Sequence, residues 1–337
     1  MLNKEKLSRR SEKAGVFNFA KEMISALLMA FVAIVYVIQA FKIPTGSMEN
    51  SLLVGDFLLG IKFIYGAPVL PFVTDLKFPG ITNPKPGDVV IFKYPGADKK
   101  DYIKRCIAGP GQTIEINKKK IFLDGIELKL PPQGIHIRDG LLDENITYFE
   151  KLRIPAKGDT IFPNTLPVRE FLFLKHLIHQ ENPRKEVTVQ YDLYIDSTLA
   201  NNRRLIQFPY SSGNKLSFEQ IIFDKIDNWI ILSSIFDQLE NNLKEYHFEI
   251  KKALFLDGKI MHQYIVKNDN YFMMGDNRDN SMDSRFWGYV NKNFVKAKAF
   301  ILYFSLDKNV PFILLPLKIR WNRIGKLIRG WDGLDTN

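Results

Sequence analysis

The chain has 337 residues, 46% of them hydrophobic and 25% charged. This is enough for roughly two domains of about 150 residues with a real core, which excludes a disordered, fibrous or disulfide-dependent chain. A single cysteine, Cys106, excludes an intrachain disulfide and a cysteine-based zinc cluster, and the net charge of +10 sits almost wholly in the two ends. Residues 1–21 carry six Lys/Arg against Glu5 and Glu12, and residues 308–330 carry six with no acid, which leaves the body neutral. A nucleic-acid binder concentrates basic charge on a face of its folded domain, so no nucleic-acid partner is expected, and basic ends suit a membrane surface instead.

The basic N-terminal segment, residues 1–22, precedes Met23 to Phe41, nineteen residues without a charge. At 1.5 Å per residue, a helix of that length reaches about 29 Å, close to the ~30 Å hydrocarbon core of a bilayer. This apolar run is longer than a signal-peptide core, and Ile38-Gln39-Ala40 is a poor cleavage site, so 23–41 reads as an uncleaved signal anchor. Lysines and arginines ahead of it place the N-terminus in the cytoplasm and the body on the far side. A second span is not expected, because Asp307, Lys308, Pro311 and Pro316 interrupt the apolar run from Phe300 to Leu317.

Beyond a Pro/Gly-rich stretch, Asp88–Phe92 is a short apolar strand opened by Pro86-Gly87. Asp124-Gly125 and Asp257-Gly258 each mark a hairpin, and Val187–Ile195 alternates with period two as a half-buried strand does. Helical signals fall mostly between 165 and 245, where the capping box Ser217-Phe-Glu-Gln220 predicts a helix through the apolar residues that follow. The fold class expected is mainly β: a β body in two parts, 42–128 and 254–307, interrupted by an inserted α/β piece at 129–253. Residues 308–337 form a basic tail that mixes cations with Ile and Trp, a pattern that suits either anionic lipid or a solvated tail.

Three segments are too polar and glycine-rich for plain structure: Ile43–Leu52, Tyr102–Gly111 and Met274–Gly288. A serine nucleophile needs a base, and none of the five histidines lies in these segments. That leaves lysine, which accepts a proton only when burial has lowered its pKa. Lys104, flanked by Tyr102-Ile103 and Cys106-Ile107-Ala108, meets that demand. On its own it would read as a surface lysine of a strand, and Ser47 as a turn serine; the combination is what counts.

Together the segments resemble the bacterial type I signal peptidases, or leader peptidases, which are membrane-anchored Ser/Lys endopeptidases. Thr45-Gly46-Ser47-Met48 looks like the nucleophile motif, Pro86-Gly87-Asp88-Val89-Val90 the box after it, and Tyr102-Ile103-Lys104-Arg105 with Gly109-Pro110-Gly111 the base box. Gly275-Asp276-Asn277-Arg278-Asp279-Asn280-Ser281, then Asp283-Ser284-Arg285 and Trp287-Gly288, resembles the last box almost residue for residue.

The resemblance implies Ser47 as nucleophile, Lys104 as general base, a Thr45 hydroxyl beside the Ser47 N–H for the oxyanion, and Ser281 orienting the lysine amine. It implies an Asp283–Arg285 ion pair, Asp276 and Arg278 holding the same loop, and Ile43, Pro44, Met48, Tyr102 and Ile103 lining pockets for small substrate residues at −1 and −3. No metal or organic cofactor is implied. The expected partners are preproteins with signal peptides and membrane lipids, at the bacterial inner membrane with the catalytic part on the periplasmic side. Oligomeric state is not legible.

Ser47 follows Phe41 by six residues, which puts the hydroxyl within about 21 Å of the membrane at ~3.5 Å per residue. One departure from the family pattern stands out. Asn50-Ser51 replaces the usual Pro-Thr after the nucleophile, which is expected to loosen that turn. The rival from another class is a catalytically silent, membrane-anchored paralogue that binds preproteins, but such a protein would most readily lose Ser47, Lys104 or Ser281, and all three are present.

Overall fold

The computed structural model describes residues 2–69, 77–96, 100–137, 144–206, 216–221, 223–331 and 333. Helix α1, Leu2–Val32, runs on through a π-helical turn, Ala33–Val37. Within it Phe17–Val37 is apolar enough to cross a membrane, with almost none of it buried against the rest of the protein. The helix ends sooner than the uncharged stretch does. Ile38–Phe41 belong to a strand, because the backbone there pairs with a neighbour from Ile38↔Ile61 to Lys42↔Phe57. Lys62 Nζ donates to the Ile34 and Val35 carbonyls at 2.9 and 3.1 Å, capping the last helical oxygens that no following turn can satisfy.

Seven strands form the sheet that carries the three polar, glycine-rich segments: β1 Ile38–Lys42, β2 Asp56–Ile61, β3 Val89–Lys93, β4 Asp101–Ala108, β5 Asn270–Met274, β6 Val290–Asn291 and β7 Val295–Ser305. Their order across the sheet is β1-β2-β7-β3-β4-β5-β6. Successive residues of a strand face opposite ways, and β3 uses both sides. Val89 and Ile91 join Met48, Leu52 and Leu58 in one core, while Val90 and Phe92 join Cys106, Tyr271 and Trp287 in another. Burial on both faces explains why Val89–Phe92 is an unbroken apolar run.

β5 pairs only with the far half of β4, from Met274↔Arg105 to Phe272↔Ala108. Beyond Met274 its chain leaves the sheet, so the Asp101–Lys104 edge is open on that side among the described residues.

A third and larger core gathers the rest. It includes Ile114 and Phe149 from a four-stranded sheet, Leu193 and Leu254 from the Val187–Ile195 and Phe248–Leu256 pair, and Phe171 and Leu232 from helices α2, Val168–Glu181, and α3, Trp229–Asn242. Phe272 and Met274 of β5 reach into it. Both Asp-Gly hairpins form, with Asp124, Gly125, Asp257 and Gly258 all at positive φ as a type I′ turn requires. The capping box also forms, but it closes only a 3-10 turn, Phe218–Gln220. Buried Phe218, Ile221 and Phe223 draw the chain into the core first, and α3 starts later with Asn228 as its cap.

The basic tail is neither loose nor wholly solvated. Arg323 is buried and donates to Asp56 at 3.0 and 2.6 Å, where Ser305 Oγ also donates at 2.6 Å. Ile328 N and Trp331 N donate to Phe300 O and Gly87 O, so the tail is stitched along the sheet. Removing one member of a buried pair strands the other charge, at a cost of about 3–5 kcal/mol. Arg323→Met is therefore expected to lower unfolding stability by that order, read as a fall in thermal midpoint in detergent. Adding Asp56→Asn should recover part of it, and a loss below about 1 kcal/mol would show that the tail is not integral to the fold.

Candidate active site

β1 delivers the chain to Ile43, whose N–H donates to Asp56 O at 2.9 Å, and then to a 3-10 turn at Gly46–Met48. Buried Met48 and Leu52 pin this turn from below, with Leu52 N donating to Met48 O at 2.7 Å. The missing proline does not loosen it. Asn50 sits at φ 71, a left-handed conformation open to asparagine and closed to proline, and Ser51 Oγ donates to Asp276 Oδ2 at 2.6 Å. Ser47 is left half-buried on the upper side of the turn.

Lys104 projects from β4 toward this turn, 3% exposed, and its Nζ donates to Ser47 Oγ. The Tyr102 ring lies 5.7 Å from the same nitrogen. Burial brings its pKa down to about 8; the charges of Asp283 and Asp276 pull it back up, and that of Arg285 pushes it further down.

The loop after β5 clamps the Ser47 turn from the other side. Asn277 N donates to Ser47 O, and Asn277 Nδ2 to Gly46 O, both at 3.2 Å. Gly275 makes this approach possible, since a Cβ there would lie 2.4 Å from Ser47 O and 2.3 Å from Ser281 Oγ. Ser281 is buried here and its Oγ has no hydrogen-bond partner, so the expected bond to the Lys104 amine is not formed.

Asp283 and Arg285 make the expected ion pair, at 2.8 and 2.9 Å, both buried. Asp283 also caps the one-turn helix α4, Ser284–Trp287, and accepts from Gly275 N at 3.0 Å. Asp276 differs from expectation. Its partner is Arg105, which grips it at 2.8 and 2.6 Å and donates to Gly87 O at 2.7 Å. Burial disfavours the Asp276 carboxylate, but the hydrogen bonds and charge of Arg105 outweigh it and hold its pKa below the usual range. Arg278 instead links backbones: its N–H donates to Ile135 O and its carbonyl accepts from Arg285 Nη2 at 2.7 Å. Its buried guanidinium, pushed by desolvation down to about 10, leaves Nε unpaired.

Above the serine and lysine lies a cleft of about 590 Å³ whose lining includes all five of the expected pocket residues, Ile43, Pro44, Met48, Tyr102 and Ile103. Thr45 is exposed on its rim, and Met282 contributes further apolar surface. Arg105, Asn277 and Ser51 are the contributors that sequence reasoning left without a role. Arg105 carried one usable signal: next to Lys104 in a strand, it must face the other side, where a buried guanidinium needs a carboxylate.

A serine hydroxyl held by a buried amine at the floor of an apolar cleft is the arrangement of a serine hydrolase. A family model described as signal peptidase, peptidase S26, matches residues 16–304. A signal peptidase I from Buchnera aphidicola (subsp. Acyrthosiphon pisum) is 29% identical over 96% of this chain and 86% of its own. Those of Aquifex aeolicus and Pseudomonas aeruginosa are each 27% identical, over 80% and 90% of this chain and 77% and 75% of theirs. A solved signal peptidase I from Enterococcus faecalis V583 covers 65% of this chain and 98% of its own at 14% identity, with a TM-score of 0.22. The chain belongs to the signal peptidase family, peptidase S26: it is a serine peptidase of signal-peptide processing, anchored by its N-terminal apolar helix.

The contact at Gly275 gives a direct test of the geometry. Gly275→Ala must push the Ser47 turn away from its place, and a displacement of about 1 Å can cost roughly 10²-fold in rate. The expected result is a loss of kcat of that size together with a lower thermal midpoint, since a Cβ overlapping a backbone oxygen also strains the packing; wild-type kcat at a wild-type midpoint would show that the approach is looser than described.

Proposed function

We propose that the enzyme removes N-terminal signal peptides from exported preproteins after small residues at −3 and −1, using Ser47 as nucleophile and Lys104 as general base. The observation that carries this reading is the buried amine of Lys104 on the hydroxyl of Ser47. A lysine with its pKa near 8 is neutral often enough at working pH to take the Ser47 proton as the oxygen attacks the scissile carbonyl. The Ser47 N–H and the Thr45 hydroxyl then face the developing oxyanion, where one such donor is worth about 3 kcal/mol. The protonated amine gives its proton to the leaving mature chain, and a water activated by the same lysine hydrolyses the acyl-enzyme. Ser281, whose buried hydroxyl has no hydrogen-bond partner, is the group assigned to steady that amine.

The open Asp101–Lys104 edge supports binding of an extended substrate, which would add as a strand next to β4. Alternate residues of a strand point the same way, so −1 and −3 would enter the cleft together. Bulky Phe41, Ile43, Tyr102 and Met282 around it leave room for small side chains. Anchor and tail support a site at the membrane surface: Phe17–Val37 leads straight into β1, and Leu315, Leu317 and Trp321 are exposed on the folded-back tail. The basic residues before the anchor favour a cytoplasmic N-terminus and a catalytic part on the periplasmic side of the inner membrane.

The test is cleavage of a preprotein with an Ala-x-Ala site by the detergent-purified enzyme. Wild type should cut after the second alanine, and Ser47→Ala and Lys104→Ala should be inactive. Because the neutral amine is the active form, kcat/KM should rise with pH to a midpoint near the lysine pKa of about 8. Retained activity in Lys104→Ala would mean another base, and a folded wild type that cuts nothing would leave a preprotein-binding paralogue.

A further inference from the structure

Helices α2 and α3 lie in the stretch to which the sequence assigns no role, yet they reach the backbone at the end of the last catalytic segment at three points. Trp229 Nε1 of α3 donates to Arg285 O at 2.8 Å. From α2, His176 Nδ1 lies 3.2 Å from Trp287 O, and Gln180 Nε2 donates to Tyr289 O at 2.9 Å. The carbonyls held are those of alternate residues, and each is held by a side chain from one of the two helices.

These oxygens need outside partners. α4 is a single turn, so its last carbonyls have no following N–H to bond except Ser284 O, which Gly288 N takes at 2.9 Å. Left unpaired in a buried place, Arg285 O and Trp287 O would destabilise the turn. A carbonyl only accepts, so the contact to Trp287 O needs an N–H on His176 Nδ1, while Nε2, 3.4 Å from Asp227 Oδ1, faces a second acceptor. Trp229 is itself fixed, with its indole against Phe149 at 6.3 Å between ring centroids and the Arg169 guanidinium 5.9 Å from its ring. The fit at Gly288 is tight: at φ +84, a Cβ there would come within 2.6 Å of the Phe173 ring of α2.

We infer that α2 and α3 position the catalytic loop, with Trp229 and His176 as positioning residues that hold α4 so that Arg285 stays locked on Asp283. The inference rests on the Ser47/Lys104 reading above. Its route to the chemistry is short. Asp283, Asp276 and Arg285 are the charged groups acting on Lys104, and Arg285 sits between Asp283 and the helices. When α4 shifts, Arg285 leaves Asp283 less well neutralised, and an unneutralised carboxylate favours the charged lysine. The base then becomes neutral only at higher pH.

Trp229→Phe keeps the ring and removes the N–H; His176→Leu removes the second donor, and His176→Gln restores one. With the full chain in detergent and a preprotein carrying an Ala-x-Ala site, Trp229→Phe and His176→Leu should lower kcat about tenfold with KM little changed. Both should move the acid midpoint of the pH profile upward, and His176→Gln should return it toward wild type. A loss of folded enzyme lowers the rate at every pH alike and leaves the midpoint where it was, so an unmoved midpoint in both variants overturns the inference, whatever the rate. Lys104→Ala in the same assay separates the two readings. If it keeps activity the dyad fails, and if it is inactive while Trp229→Phe and His176→Leu match wild type, only the positioning role fails.

Discussion

Everything at the cleft depends on keeping one amine out of water without giving it a carboxylate to pair with. A lysine buried beside a free aspartate would be held charged, which is incompatible with the role proposed for Lys104. Two aspartates do lie close enough to act on Lys104, and each is occupied: Asp276 by Arg105, Asp283 by Arg285. Buried ion pairs of this kind are weak contributors to net stability, because desolvation offsets most of their attraction. Their worth here is electrostatic housekeeping around a third group. The arginines absorb fields that would otherwise fix the proton on the lysine.

The same residues are mechanical parts. Asp276 ties β4 and the Gly87 turn to the loop after β5 through Arg105, and ties the Ser47 turn through Ser51. Asp283 takes the Gly275 N–H, so the loop that presses on Ser47 is hung from the helix that carries Arg285. Serine, lysine and their supports come from segments far apart in the chain, and the three cores beneath them lock those segments into one arrangement. Rigid packing is what lets one hydrogen atom of glycine, at Gly275, decide how near two loops come.

Much of this was legible in the sequence for identifiable reasons. Ser47 and Lys104 stood out because a polar residue in an apolar strand and a serine in a glycine turn have no structural use together. The Asp-Gly hairpins and the Val187–Ile195 strand are local, and local chemistry fixed them. Arg105 did not stand out, because its partner Asp276 is 171 residues further on and nothing in the sequence joins them. Arg323 and Asp56 are 267 apart, and a run of cations with one tryptophan looks the same whether it lies in water or along a sheet. Ser217–Gln220 shows the opposite failure: the local signal was correct, but burial of neighbouring aromatic and aliphatic residues ended the helix after one turn. At the anchor, Ile38–Phe41 continue the apolar run so smoothly that hydropathy cannot tell helix from strand there.

That last junction matters beyond its few residues. The anchor does not end in a tether; it becomes β1, and β1 is bolted to β2 along its whole length while Lys62 closes the helix end. The reach from bilayer to cleft is therefore set by a rigid strut of sheet. Adding one residue to a strand turns every later side chain to the wrong face, so β1 can be lengthened or shortened only two residues at a time, about 6.6 Å. A chain built on such a strut cannot move its cleft gradually along the anchor axis. Its working height comes in coarse steps, and adaptation to a thicker or thinner membrane has to occur in the helix below.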